Sequence, residues 1–161
     1  NVGDEVSEIV ETFNIKLKEP DITWYGEPSN TIKDQFFAEA HTINLDQMTG
    51  EKSAEPLSER FWRRYGSNAF ELLSKIKYDK SQADLLIEHA EYTVCEIEYA
   101  AKHEMITKLE DFLRRRSKIS LVVRQDDLLN AKGLKEACDI LFGSESEEKM
   151  QEYVDSISTS F

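Results

Sequence analysis

A chain of 161 residues is long enough to bury the core of one domain without disulfide or metal staples. With 40% apolar and 32% charged residues it folds, and its six glycines favour long helices over many turns. Acidic residues outnumber basic ones 32 to 20, and a net charge of −12 repels phosphate backbones and anionic lipid heads, so nucleic acid is not an expected partner.

Cys95 and Cys138 stand far apart and form no CxxC pair, which reads as two idle or buried thiols in a reducing compartment. No apolar run approaches the ~20 residues needed to span a bilayer, and no signal-peptide pattern opens the chain. It opens on "NVGDEVSEIV", without methionine and already in helical rhythm, and reads as a piece of something larger.

Val2, Val6, Ile9, Val10 and Phe13 form the apolar stripe of a first helix. "KEPDITWYGEPSN" is an extended linker, with Trp24 and Tyr25 as anchors on a neighbouring surface. Thr31 and Asp34 suggest a capping box for a helix over roughly 31–43, which carries Ile32, Phe36, Phe37, Ala40 and Ile43. "NLDQMTGEKSAEP" is a polar loop.

From Leu57 onward no proline interrupts the chain. "SERFWRRYG" starts a helix at Ser58 and stops it at Gly66, a residue suited to a left-handed C′ position. Ser67 or Asn68 can cap the next helix, "NAFELLSKI", and Asn68 with Glu71 makes a capping box. A helix follows over about 88–105, and Thr107 with Glu110 caps the next, "KLEDFLRRRSK". "KISLVV" allows a short extended piece, "LLNAKGLKEACDILFG" is helical up to Gly143, and Ser144 with Glu147 caps a last helix through Met150, Tyr153, Val154 and Ile157. The expected fold is all-α: a compact multi-helix bundle with a short N-terminal helix and linker.

His103-Glu104 opens like the zinc-protease motif H-E-x-x-H, but the second histidine position is Thr107, so no metal site is expected. Cys95 lies among apolar and acidic residues that raise a thiol's pKa, and no glycine-rich phosphate loop is present. The arginines invite a wheel count: with Leu109 at zero, Phe112 falls near ~300°, Leu113 near ~40° and Arg116 near ~340°. Arg116 then points from the apolar stripe and needs a partner, with Arg115 beside it and Arg114 on the solvated flank. The preceding helix offers Glu96, Tyr99 and His103 on one face, opposite Val94, Ile97, Ala101 and Met105, which makes that helix central. The reading is an internal polar network of Glu96, Tyr99, His103, Arg115 and Arg116, with Glu96 as the leading partner of Arg116.

"YGSN" at 65–68 is followed by Glu96, Tyr99, His103 and Glu104 in the pattern E-x-x-Y-x-x-x-H-E. Asp111, Leu113, Arg115, Arg116, Ser117 and Lys118 then give D-x-L-x-R-R-S-K. In this order and spacing they resemble the C-terminal helical domain of aerobic, FAD-dependent glycerol-3-phosphate dehydrogenases and the related α-glycerophosphate oxidases. The likeness is strongest over about 57–121. It implies a parent flavoenzyme that oxidises sn-glycerol 3-phosphate to dihydroxyacetone phosphate and passes electrons from reduced FAD to a membrane quinone or to oxygen. It implies further that FAD and substrate are held by an N-terminal domain, so no catalytic, cofactor-binding or metal residue is assigned here.

On this resemblance residues 1–28 are the end of the FAD-binding domain plus linker, and 29–161 are the C-terminal helical domain. The partner is the FAD-binding domain of the same parent, with a homodimer as a further option. The location is cytoplasmic, with the parent as a peripheral protein at the cytoplasmic face of the inner membrane. The alternative is a freestanding helical interaction module whose acidic surface meets a basic partner.

Overall fold

The computed structural model describes residues 28–50 and 53–158. The stripe from Val2 to Phe13 and the anchors Trp24 and Tyr25 lie outside the described residues. The described residues form helices and no strand; their one β-type feature is an isolated bridge between Leu85 and Thr93. The all-α expectation holds.

Helix α1 (Asn30–Thr42) buries Phe36 and Ala40. Its cap is Ser29, whose hydroxyl accepts from Ile32 N, so the expected Thr31–Asp34 box falls inside the first turn. The loop after it is an ordered platform. A 3-10 turn (Leu45–Met48) buries Leu45, while Asp46 and Thr49 cap helix α2 (Leu57–Tyr65) from outside. Asp46 accepts from Ser58 N at 2.8 Å and Ser58 Oγ at 3.0 Å, and Thr49 Oγ1 accepts from Leu57 N at 3.0 Å. Those amides have no partner within the helix, so the polar loop supplies one.

Gly66 ends α2 at φ +54°, and a 3-10 turn (Gly66–Asn68) leads into α3 (Ala69–Tyr78). Asn68 makes no side-chain capping bond, so the Asn68–Glu71 box does not form. After a 3-10 turn (Lys80–Ala83) the chain runs irregularly to Thr93. Helix α4 is Val94–His103, shorter than the expected 88–105 because Thr93 and Glu96 make a capping box that fixes its start.

The expected α-helix at "KLEDFLRRRSK" is a π-helical segment, Asp111–Arg116, closed by a bond from Ser117 N to the Phe112 carbonyl at 2.8 Å. Asp111 accepts from Lys108 N at 3.1 Å and from Thr107 Oγ1 at 3.0 Å, in place of the expected Thr107–Glu110 box. "KISLVV" forms a one-turn helix, α5 (Ile119–Val122), not a strand. Helices α6 (Gln125–Leu129) and α7 (Leu134–Phe142) are separated at Gly133, φ +80°, where an added Cβ would lie 1.7 Å from the Leu86 carbonyl oxygen. A 3-10 turn (Gly143–Glu145) precedes α8 (Ser146–Ser158).

Two apolar cores result. One gathers Phe36, Leu45, Leu57, Phe61, Leu72 and Ile76; the other gathers Ile87, Leu109, Phe112, Leu113, Leu128 and Leu134. Helix α4 contributes Cys95 and Tyr99 to the first and Ile97 and Ala100 to the second. It is the wall between them, which makes its two-faced sequence intelligible.

Candidate functional site

The most concentrated polar chemistry lies where α2 crosses the start of α4. In α2 the residues Leu57, Arg60, Phe61 and Arg64 stand at i, i+3, i+4 and i+7, so both arginines share the buried face. They converge on Glu96, which is 0% exposed. Arg60 Nη2 donates to Glu96 Oε2 at 3.2 Å, and Arg64 Nη1 donates to Oε1 at 2.8 Å. The Tyr65 hydroxyl adds a bond to Oε1 at 3.3 Å, and Thr93 donates to Oε2 from N at 2.9 Å and from Oγ1 at 3.0 Å.

Two guanidiniums on one carboxylate leave a surplus positive charge. Arg60 is 1% exposed, and its Nε has no hydrogen-bond partner. Arg64 disperses part of the surplus: it donates to the Glu91 carbonyl at 3.0 Å and lies 4.4 Å from the centre of the Tyr92 ring. Burial works against the Arg64 charge, but the Glu96 carboxylate outweighs it and raises the arginine's pKa. Burial, then the charge on Glu96, pushes the Tyr65 phenol far above its ordinary value.

From Tyr65 the contacts continue through rings. Tyr65 meets Tyr99 edge-on at 5.1 Å, and Tyr99 stacks on His103 at 4.4 Å. His103 Nε2 lies 3.1 Å from Glu71 Oε2, and Lys102 pairs with the same carboxylate at 3.0 Å. Glu96, Tyr99 and His103 therefore lie on one connected spine with Arg60, Arg64, Tyr65 and Glu71.

Arg115 and Arg116 are not on it. Arg115 is exposed and pairs with Asp111 at 3.0 Å. Arg116 is 50% exposed, with Nε 3.6 Å from Glu104 Oε2, an ion pair too long for a hydrogen bond. The expected Arg116–Glu96 pairing is thus corrected to Arg116–Glu104, and Glu96 belongs to Arg60 and Arg64. The cause is the π geometry: each residue turns by less than the ~100° of an α-helix, so the wheel count places Arg116 wrongly. Ser117 supports the wide turn by donating from Oγ to the Phe112 carbonyl at 2.7 Å.

The arrangement suits structure more than catalysis. Every Glu96 oxygen is committed to donors and sealed from solvent, so it has no access to a substrate. Burial pushes the Cys95 thiol up to about 12, which leaves almost no thiolate near neutral pH. Among the described residues no group of three or more His, Cys, Asp or Glu side chains is arranged to hold a metal ion.

Several of the motif residues serve this scaffold. Tyr65 and Glu96 are bonded to each other, Asp111 caps, Leu113 fills the core and Ser117 closes the π turn. Residues 27–143 match the family described as the C-terminal domain of alpha-glycerophosphate oxidase. The chain belongs to this family. The alpha-glycerophosphate oxidase family is one of flavin oxidoreductases, and its C-terminal domain is what the match covers. The match ends at Gly143, so helix α8, which sets Tyr153 into the second core, lies outside the matched residues. No curated protein and no solved structure gives a match to the chain.

Proposed function

We propose that this chain is the C-terminal helical domain of an FAD-dependent enzyme that oxidises sn-glycerol 3-phosphate to dihydroxyacetone phosphate. Its own part is structural: it caps the catalytic domain and carries no catalytic residue. The observation that carries the reading is the family match over 27–143, in which Tyr65, Glu96 and Tyr99 of the quoted motif join one helix to another.

The described residues do not fit FAD. A dinucleotide fold brings a glycine-rich turn and a helix N-terminus to the pyrophosphate. Here Gly66, Gly133 and Gly143 stand singly at helix ends, with φ of +54°, +80° and +56°, and Arg60 and Arg64 are spent on Glu96. In this proposal FAD and substrate belong to a preceding domain, with residues 1–28 as its end and linker and 29–161 as the helical domain. That preceding domain is the partner, a homodimer is an option, and the parent is cytoplasmic, at the inner face of the membrane. The electron acceptor is a quinone or oxygen.

The test has two arms. The purified chain is mixed with FAD, passed through gel filtration and assayed for dye reduction with glycerol 3-phosphate; neither retained flavin nor turnover is expected. The reading frame upstream of Asn1 is then determined, and an FAD-binding half in frame is expected. Stoichiometric flavin on the chain would move the chemistry into this domain. A frame without that half would replace the enzyme reading with the interaction module.

A further inference from the structure

Between α7 and α8 runs an open groove of about 420 Å³. Leu134 and Cys138 are buried beneath it, while Leu129, Ala131, Met150 and Val154 are half-buried along it. On α8 the residues Glu147, Met150, Gln151 and Val154 stand at i, i+3, i+4 and i+7, so the helix turns one face to the groove over two turns, about 10 Å of its length. Tyr153 and Ile157 serve the second core instead. The seam is fixed by polar bonds: Cys138 donates from Sγ to the Ser146 carbonyl at 3.3 Å, and Ser146 Oγ donates to Asp139.

The surroundings of the groove are acidic. Residues 129–158 hold seven carboxylates and three lysines. Lys135, which also lines the groove, is already paired with Asp139 at 3.3 Å, and Lys149 with Glu152 at 3.5 Å. Lys132 is exposed and lines a separate cleft with Glu88 and Glu91. Glu136, Glu145, Glu147 and Glu148 are exposed and have no ion pair among the described residues. An apolar floor under a rim of uncompensated carboxylates selects a partner that is apolar and positively charged together. The apolar stripe at the start of this chain is no match, because Asp4, Glu5, Glu8 and Glu11 run with it.

We propose that the α7–α8 groove is a docking site for a cationic amphipathic helix of a partner protein. Apolar anchors at i, i+3, i+4 and i+7 of that helix lie in the groove, where the flexible Met150 side chain adapts to their shape. Its lysines or arginines meet Glu147 and the adjoining Glu145 and Glu148. A groove open along one side leaves a small molecule half in water, whereas a helix laid along it covers the apolar strip. The proposal does not rest on the flavoenzyme reading, and its failure leaves that reading standing.

The test titrates the full chain into a fluorescent synthetic helix of roughly 18 residues, with leucines at i, i+3, i+4 and i+7 and lysines on the flanks, and follows anisotropy. A second helix carries glutamates in place of the lysines. Binding is expected for the first helix only, and is expected to weaken as salt rises. Glu147→Lys, Gln151→Lys and Val154→Ser should each weaken it about tenfold. Glu59→Lys, an exposed carboxylate reversed on α2 against the other core, should leave it unchanged. Glu147 and Gln151 are exposed, so helical circular dichroism of their variants should match the unmodified chain and separate lost binding from lost folding. Failure of the lysine helix to bind overturns the proposal, as does an equal loss with Glu59→Lys, which would mean diffuse charge attraction. So does a dimer in sedimentation that Val154→Ser splits, which would make the groove a site for a second copy of the chain.

Discussion

Glu96 is the residue on which most donors depend. Glu96→Gln keeps the shape but strands two guanidiniums, one of them 1% exposed. Breaking a buried pair from one side costs about 3–5 kcal/mol, so urea unfolding should show a loss in that range. Arg116→Ala, by contrast, should stay within about 1 kcal/mol, because its pair is half in solvent. Cys95 gives a chemical readout of the same burial: its thiol, pushed up to about 12, should ignore a thiol reagent near pH 8 until the chain is unfolded in urea. The sequence pointed to Glu96, Tyr99 and His103 but not to Arg60 and Arg64. Their signal lies in the spacing: both arginines repeat with Leu57 and Phe61 on one helical face. Arg116 misled because an α-helical wheel presumes a regular turn.

Among elements, caps and glycines fix the joints. Gly133 and Gly143 both sit at positive φ, but their surroundings differ. At Gly143 an added Cβ meets nothing within 4 Å, so Gly143→Ala should cost only the backbone strain of φ +56° and ψ −119°, about 1–3 kcal/mol by thermal or urea unfolding. At Gly133 it would lie 1.7 Å from the Leu86 carbonyl oxygen, so Gly133→Ala should cost clearly more and loosen the 84–93 segment. Equal losses at the two positions would refute this account of the α6–α7 joint. Long apolar periodicity was readable in the sequence, hence α1, α2, α3 and α8. Starts and wide turns were less so. The Thr93–Glu96 box lay inside an apparently continuous helical pattern, and the caps of α2 come from Asp46 and Thr49, across a loop. A π turn carries no period of its own in so short a stretch.

For the whole molecule the carboxylates set the acid limit. Glu71 lies below the ordinary 4.5 because Lys102 and His103 hydrogen-bond to it. Burial alone would raise Glu98, but hydrogen bonds from Lys75 and Gln82 outweigh it and hold it low as well. Asp111 behaves alike: burial raises it, and bonds from Thr107 and Lys108 more than compensate. A depressed native pKa means that the unfolded chain binds more protons as the pH drops. The stabilisation is therefore complete above the ordinary carboxylate values and is lost as pH falls through the lower native ones. Urea midpoints should be flat near neutrality and decline below about pH 4.5, with a shallower decline in Glu71→Gln. A midpoint that rises on acidification would contradict these pairings.

The wall formed by α4 has a consequence for motion. A segment that touches one core can open while the other stays closed, and its amide protons then exchange with solvent through that local opening. Residues of α4 alternate between the cores, Cys95 and Tyr99 on one side and Ile97 and Ala100 on the other. Freeing their amides requires both halves to come apart. In deuterium labelling the amides of 97–103 should be the last to exchange, at the rate of global unfolding, while those of 119–123 exchange early from a single pinned turn.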